Sequence, residues 1–163
     1  MGHVIQFPLI RGRKKVRLRG KRGIRQSAQP AQVTILLAED NDTLRDLLSR
    51  FLRRQGYAVR TARNGAAAWK ILTAEEIHVL ILDLQMPKLD GVTILQRLRK
   101  RSGQYPYVIV TSAVDREAAD RMIRGLGVEE YLPKPFHLAH LLDRVVLFEN
   151  RLRRGEWPGR SAD

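Results

Sequence analysis

The sequence contains no cysteine, which excludes disulfide bonds, thiolate metal sites and cysteine nucleophiles. It also has no apolar run near the roughly 18 residues that a membrane-spanning helix needs. The glycine-rich pattern of P-loop nucleotide hydrolases is missing as well. At the N-terminus, apolar residues precede the basic ones, the reverse of a secretory signal, so we expect a cytoplasmic protein.

Acidic residues are missing from the first 32 positions, which hold nine lysines and arginines. These nine account for most of the net charge of +13, because the other 21 of the 30 basic residues face 17 acidic ones. The same segment has too little apolar content to form a core. We therefore predict a disordered basic arm at residues 1–31, a single domain at 32–152 and a polar tail at 153–163.

From Val33 onward, short apolar runs alternate with segments whose apolar residues recur at helical spacing. Asparagine or aspartate precedes several of these helical segments, as expected of N-caps: Asn41 or Asp42 caps the first predicted helix, and Asp115 caps one that runs to Gly125. The apolar runs predict five strands, at residues 33–38, 57–62, 79–83, 107–112 and 130–132. This alternation predicts an α/β fold, with a doubly wound, five-stranded parallel sheet covered by helices on both faces.

Polar side chains stand where four of the predicted strands end. Glu39 and Asp40 follow the first strand, Asp83 ends the third, Ser112 ends the fourth and Lys134 follows the fifth. Because the carboxyl ends of parallel strands meet at one edge of a sheet, we expect these side chains to converge. Three carboxylates suit a hard cation such as Mg²⁺, and a lysine with a hydroxyl suits a phosphoryl group. A carboxylate can itself be the nucleophile towards phosphorus, whereas the alternative is a set of capping acids and a surface lysine.

From about Val33 to Leu152 the chain resembles the receiver domain of two-component response regulators, in a stand-alone form similar to the chemotaxis response regulator. The matching motifs are Glu39-Asp40, the run from Asp83 to Gly91, Ser112-Ala113, and the run from Tyr131 to Phe136. Their order and spacing agree throughout. The resemblance implies a flavodoxin-like receiver fold with strand order 2-1-3-4-5.

The resemblance also implies a phosphorelay role for Asp83. This residue would become an aspartyl phosphate by accepting a phosphoryl group from a sensor histidine kinase or a histidine phosphotransfer protein. Mg²⁺ would be held by Asp40, Asp83 and the Gln85 carbonyl. Glu39, where the family often has aspartate, would act through a metal-bound water.

Two further roles follow from the same resemblance. Lys134 would pair with the phosphoryl oxygens, and its bond to Pro135 would be cis. Ser112 and Tyr131 would form the switch pair, although an aromatic side chain on an edge strand is often simply packed. Thr111 competes with Ser112, because neighbours on a strand point to opposite faces. The family pattern places the hydroxyl just before alanine, which favours Ser112.

These features predict a single-domain response regulator or phosphorelay intermediate. We expect no enzymatic activity beyond self-catalysed phosphoryl transfer to Asp83 and its hydrolysis. Output would pass to a downstream protein on the face formed by the last two helices. The alternatives are a nucleic-acid-binding protein whose basic arm the domain regulates, and a degenerate scaffold, against which the intact Asp40, Asp83 and Lys134 argue. Residues 11–25 could bind nucleic acid or an anionic surface through phosphate contacts, or form an unselected tail.

Overall fold

The computed structural model describes residues 32–101 and 105–156. The predicted basic arm and residues 157–163 of the predicted tail lie outside the described residues. Strands and helices alternate along the described chain. They are β1 (Thr34–Ala38), α1 (Asp42–Arg54), β2 (Ala58–Ala62), α2 (Gly65–Ala74), β3 (Val79–Asp83), α3 (Gly91–Arg99), β4 (Tyr107–Ser112), α4 (Arg116–Ile123), β5 (Glu130–Pro133) and α5 (Leu138–Arg153).

The five strands form one parallel sheet in the order β2-β1-β3-β4-β5, as predicted. The strand order reverses beside β1, and this reversal is the point at which such sheets place their ligand sites. The central strand β3 is buried along its whole length, because helices cover both faces of the sheet. An uninterrupted aliphatic run ending in an acid therefore becomes a buried strand that delivers Asp83 to the carboxyl edge of the sheet.

The core consists of two layers, one on each side of the sheet. Helices α1 and α5 cover one face, where Leu52 and Phe148 are fully buried against alternate strand residues such as Ile81. Helices α2, α3 and α4 cover the other face, where Leu95 packs with strand residues such as Leu80. This alternation follows from the two-residue period of a strand. No helix of the described part of the chain combines the length and hydropathy required to cross a membrane.

Two helix ends differ from the prediction. Helix α4 ends at Ile123 rather than at Gly125, because Arg124 already has an extended backbone (ψ 124°). Helix α5 begins after His137 and continues to Arg153, one residue into the range predicted as tail. Asn41 caps α1, where its side chain accepts a hydrogen bond from the Leu44 amide, so the predicted start of that helix is confirmed.

Candidate functional site

The sheet brings Glu39, Asp83 and Lys134 together at its carboxyl edge. Asp83 is the last residue of β3, and backbone hydrogen bonds hold the other two just beyond their own strands. The Glu39 amide donates to the Ala62 carbonyl at 3.0 Å, and the Lys134 amide donates to the Ser112 carbonyl at 2.8 Å. The backbone hydrogen bonds of the sheet therefore fix the positions of these site residues. The Lys134–Pro135 peptide bond is cis, as the resemblance implied.

Lys134 bridges the two buried acids. Its Nζ donates to Asp83 Oδ2 at 2.6 Å and to Glu39 Oε2 at 2.8 Å. Glu39 is only 1% exposed and Asp83 only 4% exposed, so each charge would be costly without a partner. Burial alone would lower the pKa of Lys134, but the hydrogen bonds and charges of Asp83 and Glu39 outweigh it and raise that pKa. The lysine is therefore a fixed positive charge against the Asp83 carboxylate.

Three carboxylates at this edge meet the requirements of a hard cation. Glu39, Asp40 and Asp83 each offer an oxygen, and these oxygens lie within 4.8 Å of one another. Asp40 is exposed whereas the other two are buried, so the group opens to solvent on one side. Oxygen donors of this kind fit Mg²⁺. The backbone amide of Gln85 donates to Asp83 Oδ1 at 2.9 Å, which fixes Gln85 beside the three carboxylates. The role of the Gln85 carbonyl as a metal ligand stays a prediction.

The loop after β3 is closed so tightly that glycine is required at position 91. A Cβ on Gly91 would lie 2.6 Å from the Asp83 carbonyl oxygen and 2.8 Å from the Leu84 Cα. The Gly91 amide also donates to the Leu84 carbonyl at 3.0 Å. Any larger residue would push this loop away from β3, and the Asp83 carboxylate would lose its fixed position.

The proposed switch residues meet on the loop between β4 and α4 rather than at Asp83. Ser112 is fully buried, and its Oγ accepts a hydrogen bond from the Val114 amide at 3.2 Å. The Tyr131 hydroxyl donates to the Val114 carbonyl, with the ring 9% exposed. Burial, together with the charges of acids on α4 and its cap, raises the pKa of Tyr131. Thr111 is the residue that pairs with Asp83 in the sheet register, so the choice of Ser112 stays a prediction.

Comparison with known proteins gives this fold and site a family. The model of the response regulator receiver domain matches residues 35–146. The chain belongs to that family. A relative, the transcriptional regulatory protein TctD of Salmonella typhimurium, is 40% identical over 113 residues, which make up 68% of this chain and 49% of TctD. The chain spans about half the length of the curated relatives it matches.

Solved structures agree with this assignment. The response regulator TrrA of Thermotoga maritima, determined in complex with Mg²⁺-BeF, has a TM-score of 0.64 and 27% identity, and the match covers 72% of this chain and 99% of that one. The receiver domain of Ssk1 of Saccharomyces cerevisiae, determined with the histidine phosphotransfer protein Ypd1, is also similar. Its TM-score is 0.67 with 26% identity, over 74% of this chain and 91% of that one.

Sequence reasoning missed one residue that supports the acidic group of this receiver domain. The Arg45 guanidinium donates to the Glu39 backbone carbonyl at 2.9 Å, while the backbone amide of Asn41 donates to Glu39 Oε1 at 3.1 Å. Both contacts hold the chain beside the acids. An arginine in the first turns of an amphipathic helix looks like any solvated residue, so no pattern distinguishes Arg45.

Three histidines stand apart from the receiver site. His78 Nδ1 accepts a hydrogen bond from the Thr34 amide at 3.1 Å, at the opposite edge of the sheet. His137, which precedes α5, and His140 on its first turn are exposed, with ring centroids 5.4 Å apart. None of the three belongs to the group of metal-ligating side chains found in the described residues.

Proposed function

We propose that this chain is a phosphoacceptor response regulator in which Asp83 receives a phosphoryl group from a phosphohistidine. The observation that carries the proposal is the arrangement of the Asp83 carboxylate, which is 4% exposed and bound by both Lys134 and the Gln85 amide. A buried acid held by a lysine at a sheet's ligand edge has little value as a helix cap. It is positioned as a nucleophile.

The chemistry requires few participants. An Asp83 oxygen forms a bond to phosphorus while the bond between phosphorus and the donor's imidazole nitrogen breaks. The electron pair returns to that nitrogen. Lys134, already within hydrogen-bonding distance of Asp83, stays close to the charge that the phosphoryl oxygens bring. Hydrolysis of the aspartyl phosphate resets the protein, and we propose no further enzymatic activity.

The three carboxylates are proposed to hold Mg²⁺. When bound, the ion neutralises charge on the phosphoryl oxygens. Asp40 and Asp83 would bind it with the Gln85 carbonyl, and Glu39 would act through a water molecule. The oxygens within 4.8 Å of one another support this assignment, as does the similarity to a response regulator solved with Mg²⁺-BeF.

The proposed partners are a sensor histidine kinase or a histidine phosphotransfer protein, in the cytoplasm. The similarity to a receiver domain solved with such a phosphotransfer protein supports this assignment. Phosphorylation would draw the Ser112 hydroxyl away from the Val114 amide and change the loop on which Tyr131 also rests. A downstream protein would then bind the face of α4 and α5, where Met122 is 41% exposed.

Transfer of labelled phosphate tests the proposal. We expect the wild-type chain to take up label from phosphoramidate, and from a phosphorylated kinase chosen by screening, in a Mg²⁺-dependent manner. Asp83→Asn removes the nucleophilic oxygen and should abolish the uptake. Asp46→Asn, which neutralises an exposed acid on α1, is the matched control and should retain it. Equal labelling of the Asp83→Asn and wild-type proteins would remove Asp83 from the reaction.

A further inference from the structure

The loop between β1 and α1 carries two of the three carboxylates at the carboxyl edge. It consists of Glu39, Asp40 and Asn41, which lie between the last residue of the strand and the first residue of the helix. Carbonyl groups in such a connection need donors from outside a regular ladder, because an unpaired carbonyl that lies away from water costs free energy. The positions of both carboxylates therefore depend on what holds this loop.

Arg45 donates to all three carbonyl groups of the loop. Its Nη1 atom donates to the Glu39 carbonyl at 2.9 Å and to the Asp40 carbonyl at 3.4 Å. Its backbone amide donates to the Asn41 carbonyl at 2.9 Å. A single residue of α1 thus binds three successive peptide groups.

The Arg45 side chain is itself held in place. It is only 14% exposed, and its Nη2 atom binds the Asp42 carboxylate, which is 83% exposed. Asp42 has little need of a partner at that exposure, so the pair serves mainly to orient the guanidinium. An arginine that only carried surface charge would be exposed, as Arg50 is on the same helix.

Two considerations oppose a positive charge at position 45. A guanidinium beside the acidic group repels a second cation, so its charge alone would weaken Mg²⁺ binding. Arg45 also lies near the N-terminus of α1, the end of a helix at which basic side chains are disfavoured. Its presence is therefore explained by the contacts of its guanidinium rather than by its charge.

Glu39 shows how closely the loop is fixed. Its backbone amide donates to the Ala62 carbonyl at 3.0 Å, and its carbonyl accepts from Arg45. Its two carboxylate oxygens accept from the Asn41 amide and from Lys134. Loss of the hydrogen bond from Arg45 would release one side of the peptide group that carries this carboxylate.

We propose that Arg45 is a positioning residue for the Mg²⁺ site, which holds the backbone of Glu39 and Asp40 so that their carboxylates face the cation. The inference rests on the proposed function, because it concerns the same metal site. Groups that orient metal ligands from behind typically change metal affinity by roughly 10- to 100-fold when they are replaced. Arg45 acts through the loop and not through contact with the ion.

Isothermal titration calorimetry of Mg²⁺ binding to the full chain tests the proposal. Arg45→Gln removes both the charge and the guanidinium, whereas Arg45→Lys keeps the charge without the planar set of donors. We expect each variant to bind Mg²⁺ about tenfold more weakly than the wild type. Arg50→Gln is the matched control, since it removes an exposed charge from the same helix and should leave the affinity unchanged.

The sign of the change in affinity separates position from charge. If Arg45 acted only by its charge, Arg45→Gln would bind Mg²⁺ as tightly as the wild type or more tightly, and Arg45→Lys would be unchanged. Either result would overturn the proposal. The weaker binding should persist when NaCl is raised from about 50 to 500 mM, because salt screens charge effects but does not restore a displaced loop. Recovery of wild-type affinity at high salt would likewise count against positioning.

Measurements without metal distinguish a displaced loop from a general loss of structure. In EDTA, the amide NMR shifts of Asp40 and Asn41 should change in the Arg45→Gln protein and stay as in the wild type in the Arg50→Gln protein. A lower free energy of unfolding in urea with unchanged Mg²⁺ affinity would show that Arg45 only stabilises α1, and would overturn the proposal.

Asp40→Asn, titrated in parallel, tests the metal site itself. Wild-type affinity in that variant would contradict the proposed Mg²⁺ site, and this inference with it. Weaker binding by the Asp40→Asn protein with wild-type affinity in the Arg45→Gln protein would overturn the role of Arg45 alone and leave the proposed function intact.

Discussion

The two edges of the sheet handle charge in opposite ways. At the carboxyl edge, Glu39 and Asp83 are almost inaccessible and share one lysine. At the amino edge, Arg50 and Arg54 stand in solvent. Moving charges out of water costs several kcal/mol per ion even in a relaxed protein, whereas a solvated arginine costs almost nothing.

This difference determines how much each edge reveals about function. A buried acid pair needs compensation, so its presence favours a role that demands fixed carboxylates, such as nucleophilic attack and metal binding. An exposed basic surface needs no compensation and carries information only through its excess and its continuity. The carboxyl edge therefore supports a mechanism, whereas the exposure of Arg50 and Arg54 at the amino edge does not by itself indicate a function.

The largest effect is expected at Asp40, because it is the exposed member of an otherwise buried acidic group. We expect Asp40→Asn to weaken Mg²⁺ binding by about tenfold or more, since even residues behind metal ligands cost 10- to 100-fold when changed. Stability should change by less than about 0.5 kcal/mol, because the side chain is exposed. Isothermal titration calorimetry and urea unfolding measure the two quantities.

Asp46→Asn is the matched control, since it also neutralises one exposed acid but lies on α1 outside the acidic group. Its Mg²⁺ affinity should equal that of the wild type. The same affinity in the Asp40→Asn protein would show that Asp40 does not bind the ion. An exposed acid at the carboxyl edge would then have no more effect on Mg²⁺ binding than an exposed acid on α1.

Much of the fold and the acidic site follow from sequence pattern, because both rest on local rules. The buried run before Asp83 fixes β3, and the parallel order then places Glu39 and Lys134 beside it. What the pattern could not provide depends on side-chain contacts across the chain. The Ser112 and Tyr131 hydroxyls both form hydrogen bonds with the backbone of Val114, and no sequence pattern predicts a contact with a particular backbone group.

The next largest effect is expected from a substitution of Ser112. We expect Ser112→Ala to lower the free energy of unfolding by about 0.5 to 1.5 kcal/mol, because the half-buried Val114 backbone amide would lose its acceptor. Phosphate uptake at Asp83 should persist while its transmission to α4 and α5 weakens. Urea unfolding gives the first quantity, and NMR shifts on addition of beryllofluoride give the second.

Arg50→Gln is the counterpart at the amino edge, and it should change stability by less than about 0.5 kcal/mol. A similar cost for both substitutions would contradict the contrast between a buried polar residue at the carboxyl edge and an exposed one at the amino edge. Beryllofluoride shifts in the Ser112→Ala protein that reach Tyr131 and both helices as in the wild type would remove Ser112 from the switch.

The smallest effect tests an exception at the amino edge. Tyr107 begins β4 and is fully buried, with its hydroxyl donating to Glu130 Oε1 at 3.3 Å. Burial first, and the Glu130 charge second, raise the pKa of Tyr107 to about 12, although Arg151 acts in the opposite direction. This one group at the basic edge is held as the carboxyl edge holds its acids, inside the protein and in a single protonation state.

A raised pKa means that the folded state keeps the proton longer than the unfolded chain does. The associated stability is therefore fully present below about pH 10 and is lost as pH rises towards about 12. Tyr107→Phe should cost about 0.5 to 1 kcal/mol at neutral pH, for one long hydrogen bond. It should also reduce the loss of stability at alkaline pH, leaving the part due to Lys134 and Tyr131, whose pKa values are raised as well. Urea unfolding of both proteins across this pH range decides the matter, and parallel curves would show that Tyr107 ionises as freely in the fold as in the unfolded chain.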